Sequence, residues 1–354
     1  MKTKLVNFGK LTLFLSICAL LLRFDLVPGA SADGVSSGYH LSGKFSVDGS
    51  GAWDYISIDP TTRRLYVTHA TQVNVIDADT GKTIGQITNT PGVHGVALAL
   101  DLGKGFTSNG KANTVSVIDL KTLTHTAEIK VGKKPDAIIY DQYTQRVFVS
   151  DGDSDEMTVI DAVTEKVAGT IPLGGNPEFS ASDNKGTVWV NVEHKNSIGV
   201  IDAKALKLTR TIPVKGCDAP GSMAVDRVNR RLFIGCSENN TFVIVNPDTG
   251  ETIAKFPVGE HVDATVFDPD SGLVFSATGD GHITVVHQDS PDKYTLMDTI
   301  DTMRGAKTLA LDPKTKKLFL PTVENIPSNA TGPPQASGPK AYKPGPFVVL
   351  VVEK

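Results

Sequence analysis

One short phrase, an apolar strand closed by a polar residue, returns through this chain at nearly constant spacing. It reads "VNVID" at 73–77, and its counterparts close at Asp119, Asp161, Asp202, Asn246 and His287, at intervals of 42, 42, 41, 44 and 41 residues. A second marker, an Asp closing an earlier strand, falls at Asp59, Asp101, Asp141, Asp183, Asp226, Asp268 and Asp312. Seven markers define seven units. A fixed period of this length means that each unit is too small to bury its own apolar face, so neighbours must stack on one another.

In the first unit "YISID" leads through "PTTRR" to "LYVTH", then to "QVNVID", a turn at "ADTG" and "KTIGQI". Leu65, Val67, Val73, Val75 and Ile84 alternate with polar neighbours, the period of a strand. Pro60 and Pro313 pre-set φ after an Asp, while Gly81 and Gly250 supply the positive φ of a tight hairpin. No segment sustains a helical period. Four strands per unit predict an all-β chain, a seven-bladed β-propeller with four antiparallel strands per blade. The seventh unit starts at "GAKTLALDPKTKKLFLPT" (305–322), reaches its third strand in "PFVVLVVEK" (346–354) and stops one strand short. The spare strand is "HLSGKFSVDG" (40–49), which reads like the fourth-strand phrase "KVAGTIPLGG" (166–175). An N-terminal strand completing the C-terminal blade closes the ring and leaves no open edge.

Residues 1–32 stand outside the repeat. Lys2, Lys4 and Lys10 precede the apolar run "LTLFLSICALLL" (11–22), and "ASA" (30–32) offers small residues for cleavage near Ala32. That is the layout of a secretory signal peptide, and the run is short for a membrane span. The expectation is a periplasmic or secreted protein in which 33–354 form a single propeller, with no transmembrane segment in the mature chain. A Pro- and Gly-rich insertion, 323–345, interrupts the last blade. The whole chain carries a net −4, of which 1–32 hold +3, so the remainder carries −7. That acidity, and loops without a basic and aromatic groove, argue against nucleic acid as a partner. Cys217 precedes the inner strand of unit five and Cys236 ends its second strand, so a hairpin brings them together and export permits a disulfide.

The phrase "LYVTH" with "VNVIDADTGK", and the looser "VFVSD…TVIDAVTEK" and "LFIGC…VIVNPDTGE", resemble the YVTN-repeat β-propeller family of exported bacterial and archaeal proteins, including its periplasmic YncE-like members. The likeness spans residues 40–354. It implies a propeller and an exported protein, and it says almost nothing about chemistry, because one fold hosts many functions.

In a propeller the loops before the inner strands and those between second and third strands open on one face. Asp54, Asp136, Glu178, Asp263 and Lys307 each stand five residues before a marker Asp, which gives them equivalent places around the axis. With His94 and His261 they predict a polar, mostly acidic funnel for a ligand, rimmed by His69, Glu193 and His194. Four carboxylates in one funnel repel unless a cation, Lys307 or raised pKa values relieve them. His69, His94, His194 and His261 are metal candidates if they converge, and a divalent metal ion is the one cofactor such a set suggests. "DGDSDE" (151–156) places Asp151, Asp153 and Asp155 at alternate positions like the start of a calcium loop, without the following Gly and distal Glu. There is no C-x-x-C-H, Walker loop or dinucleotide fingerprint. The expected function is therefore binding: a monomeric exported module presenting its funnel to a small polar ligand, a metal ion or a cell-envelope component. The rivals are a metal-assisted lactonase or lyase using these histidines and carboxylates as acid or base, and a cell-surface scaffold.

Overall fold

A computed structural model describes Met1, residues 36–49, 51–324, Ile326 and 345–354. The expected signal peptide lies, Met1 apart, outside the described residues, as does most of the 323–345 insertion. The propeller unit spans Val35–Lys354 and consists of seven four-stranded antiparallel sheets. Their inner strands are Trp53–Asp59, Val93–Ala99, Pro135–Asp141, Pro177–Ser182, Pro220–Asp226, Val262–Asp268 and the short Ala310–Leu311. In blades one to six the strands follow chain order outward from the axis. Blade seven breaks that order: His40–Ser46 pairs outside Phe347–Glu353, with His40 opposite Glu353 and Ser46 opposite Val348. The expected closure is present. The Ser37 amide donates to the Asp298 Oδ2 (2.9 Å) and Tyr39 packs edge-on against Phe275 (4.9 Å), fastening the incoming segment to blade six.

Each blade is covered by a neighbour on both faces, so its middle strands carry apolar residues almost continuously; Leu318–Val323 is buried throughout. Outer strands bury little: in Thr83–Thr88 only Ile87 is buried. The third residue of each second strand, counting Lys317 as the first in blade seven, is aromatic. Tyr66, Phe106, Phe148, Trp189, Phe233, Phe275 and Phe319 are all fully buried. This ring of aromatics between blades supplies much of the core, since burial of one such side chain is worth about 3 kcal/mol.

The marker acids have a local purpose. Asp59 Oδ1 accepts the Thr61 amide (2.8 Å) and Asp141 Oδ2 the Thr144 amide (2.9 Å), the Asx-type geometry that turns one strand into the next. Asp101 departs from the pattern. It lies in a 3₁₀ turn, Leu100–Leu102, beyond the end of Val93–Ala99, so it does not close that strand. Counted from the strand itself, His94 takes the place that Asp54 takes in blade one. Cys217 and Cys236 form a disulfide. Among the described residues no helix is long and apolar enough to cross a membrane.

Candidate functional site

The inner strands are irregular where they begin. Pairing with the second strand is interrupted between Trp53 and Ile56, Val93 and Val96, Pro135 and Ile138, Pro177 and Ser180, Pro220 and Ser222, and Val262 and Ala264. Such a bulge removes residues from the ladder and re-aims their side chains. Asp54, His94, Asp136, Glu178, Gly221 and Asp263 occupy the second place of their strands, inside these interruptions, and Lys307 is the counterpart in blade seven. Hydroxyls from adjacent blades take up the freed carbonyls. The Asp54 carbonyl accepts from Thr308 Oγ1 (2.7 Å), that of Glu178 from Ser150 (2.7 Å), and that of Asp136 from Ser108. The funnel side chains thus stand on a backbone pinned from the neighbouring blade.

They converge on a cavity of about 210 Å³ lined by Asp54, Asp136, Glu178, Glu193, Asp263 and Lys307, with Tyr55 at its base. The His94 ring Nδ1 lies 2.6 Å from Asp54 Oδ2 and 3.5 Å from Asp136 Oδ1. Gly110 makes room for the ring, because a Cβ there would fall 2.7 Å from His94 Nε2. Lys307 Nζ pairs with Asp263 and stands 4.0 Å from Asp54 Oδ1, a buried oxygen with no hydrogen-bond partner. The Asn176 amide nitrogen donates to Glu178 Oε1 (3.2 Å) and Glu193 Oε2 (2.9 Å), bridging the two acidic side chains.

Crowding shifts the protonation of Glu178, Asp136, His94 and Lys307. Burial, reinforced by Asp136, Glu193 and Asp263, pushes Glu178 up to about 9. Burial also raises Asp136 to about 6, opposed by the charge of His94 and reinforced by Asp54 and Asp263. Burial would pull His94 down, but its hydrogen bond to Asp54 and the charges of Asp136 and Asp54 carry it up to about 9. For Lys307, Asp263 and Asp54 likewise outweigh burial and hold the ammonium charged. The cavity therefore holds five carboxylates against two cations, and it relieves the excess by keeping a proton on Glu178.

The remaining sequence candidates fall elsewhere. His261 is exposed, at φ 59 just before Val262–Asp268, and among the described residues its ring makes no hydrogen bond or ion pair with the funnel acids, whereas His94 pairs with Asp54 and Asp136; the expected place of His261 in the funnel is corrected. His69 is not a rim group either. It is buried, stacked on Phe347 with ring centroids 4.4 Å apart, and desolvation lowers its pKa. His194 is exposed in the turn Glu193–Lys195, beside a recess shared with Glu178, Glu193 and Asp153. The four histidines do not assemble into a metal set: among the described residues, the group that does is Asp54, His94 and Asp136. The calcium-like loop also fails to converge. Asp151 is buried and accepts both the amide (2.9 Å) and the hydroxyl (2.6 Å) of Thr158, while Asp153 and Asp155 are exposed.

Sequence reasoning missed what lies beneath the acids. Tyr55 of blade one and Phe179 of blade four meet edge to face, with centroids 5.4 Å apart. Side chains from blades so far apart around the ring can meet only across the axis, so this pair floors the acidic cavity. Each is the residue after a funnel acid, and that adjacency is the only trace of the pair in the sequence. Equally silent is Gly221, which leaves blade five without a side chain in the ring.

Residues 61–278 match the family model described as "Domain of unknown function (DUF5074)", and the chain belongs to that family. No curated protein matches the sequence. Among solved structures, the chain is similar to Kuenenia stuttgartiensis hydrazine synthase at 15% identity and a TM-score of 0.68, over 77% of this chain and 95% of that one. It is similar to U3-55K at 8% identity and a TM-score of 0.73, over 88% and 99%. It is also similar to a chain of the mitotic checkpoint complex at 15% identity and a TM-score of 0.68, over 90% and 96%. Likeness at these identities shows the propeller fold alone.

Proposed function

We propose that this member of the DUF5074 family is an exported binding propeller whose acidic mouth takes a divalent metal ion. One observation carries the reading: Asp54, His94 and Asp136, from three successive blades, bring a ring nitrogen and two carboxylate oxygens within 4.8 Å of one another. Two oxygens and one imidazole nitrogen suit zinc, manganese or iron. The surplus of carboxylates around them favours a cation over a neutral or anionic guest. Residues 1–32, the YVTN-like phrases and the Cys217–Cys236 disulfide support export. The proton held by Glu178 supports a second reading, a metal-assisted lactonase or lyase with Glu178 as general acid. Metal-loaded protein that turns over no model lactone removes that reading.

Calorimetric titration with Zn²⁺ and Mn²⁺ tests the first. Binding is expected at one site, and its affinity should rise from pH 6 to pH 8 as His94 gives up its proton more readily. Asp136→Asn, which keeps the shape but removes a charged ligand, should weaken it by at least about tenfold, or 1.4 kcal/mol. Equal affinity in the variant overturns the assignment.

A further inference from the structure

The other end of the same channel has a different chemistry. The C-terminal ends of the inner strands enclose a cavity of about 510 Å³, within the size range of small-molecule sites. Leu98, Ile139, Phe179, Val225, Phe267 and Leu311 supply its apolar wall, interleaved with the polar Ser180, Ser182 and Thr265. Two cations line it and differ in their commitments. Lys316 is neutralised by Asp268 at 2.7 Å and Asp270 at 2.5 Å. Arg227, exposed just after Pro220–Asp226, uses its Nε to donate to the Ser182 carbonyl (2.9 Å). Among the described residues it makes no ion pair and no other hydrogen bond. Two acids have charges that reach it, and both are spoken for: Asp183 pairs with Arg230 at 3.2 Å, and Asp141 accepts from Thr144 and Ser182.

A guanidinium without a carboxylate, at the edge of an apolar cavity, selects a particular class of guest. We infer that this mouth binds a small monocarboxylate with an apolar body, aromatic or branched. The body fills the wall between Phe179 and Phe267, and the carboxylate takes the unused fork of Arg227 in a paired, charge-assisted contact. The Lys316 cluster at blades six and seven has one more acid than base, so the guest's charged end lies on the blade-five side. A neutral guest of the same shape would fill the wall and leave Arg227 as it was. Discrimination between acid and amide is therefore the property the site must show.

The test uses 4-phenylbutyrate and 4-phenylbutyramide, titrated calorimetrically into the full-length protein. The carboxylate is expected to bind at least about tenfold more tightly than the amide, since hydrogen bonds to charged groups exceed neutral ones. Arg227→Gln should erase that preference while leaving amide binding unchanged, Arg227→Lys should retain part of it, and Asp136→Asn at the far mouth should retain all of it. The inference is overturned if acid and amide bind alike, if neither binds at millimolar concentration, or if Arg227→Gln still prefers the acid. A melting temperature for each variant close to the parent's keeps a folding defect from passing as loss of the site.

Discussion

The two mouths of this channel are built largely from the same strands, four residues apart, and differ in their chemistry. Asp54, His94, Asp136, Asp263 and Lys307 line or flank one end; Leu98, Tyr140, Phe267 and Leu311, four residues beyond His94, Asp136, Asp263 and Lys307, line the other. The first end is a cavity of about 210 Å³ crowded with acids, and the second is one of about 510 Å³ in which apolar side chains alternate with polar ones. The backbone explains part of the contrast. At the acidic mouth bulges detach the strand from its ladder, and hydroxyls of Thr308 and Ser150 hold the released carbonyls. At the opposite mouth pairing is regular, with Leu98 opposite Gly105 and Phe267 opposite Val274. The stabilising work is done elsewhere, by the aromatics between blades, so residues facing the axis are free to serve a guest.

That division predicts unequal sensitivity. Lys307→Met should be the more damaging change, because it strands Asp263 and Asp54 among like charges. Removing one partner from a buried pair costs about 3–5 kcal/mol, and with Lys307 29% exposed about 2 kcal/mol is expected here. Arg227→Gln at the other mouth should change stability by no more than about 0.5 kcal/mol. Chemical denaturation of the two variants checks this, and equal losses would remove the contrast.

A smaller effect separates the mouths by pH. Glu178 and Asp136 keep protons in the folded protein, at about 9 and about 6, that the unfolded chain releases near 4.5 and 3.8. His94 keeps its proton to about 9 against 6.5 unfolded. In each case the folded state binds more protons, so stability falls as pH rises, from about pH 5 to about pH 9. The melting temperature should drop by at least about 3 °C over that window. Glu178→Gln should flatten the slope, and Arg227→Gln should leave it intact. A parent profile that rises between pH 5 and pH 9 would contradict the protonation assigned to the acidic mouth.

The fold was legible because its signal repeats. Seven markers gave the blade count, and the pairing of His40–Ser46 with Phe347–Glu353 could be read from a strand missing at one end and spare at the other. The site was legible only where side chains inherit their direction from the repeat. Asp54, Asp136, Glu178, Asp263 and Lys307 share one offset from a marker, and the structure gathers them. His261 stands two residues ahead of Asp263, with a backbone turned to positive φ, so nearness in sequence said nothing of where its ring lies. His69 ends a second strand and is absorbed between blades by Phe347. The bulges, the Tyr55–Phe179 floor and the uncommitted Arg227 depend on contacts between blades, which no local pattern records.

Whether the acidic mouth takes a cation is read by anomalous diffraction from crystals grown with Zn²⁺ at pH 8. An anomalous peak is expected within coordination distance of Asp54, His94 and Asp136, about 2.0–2.2 Å from each ligand atom, and a weaker peak or none in Asp136→Asn crystals. Zinc found only on surface histidines such as His194 or His261, with the mouth empty, would contradict the assignment.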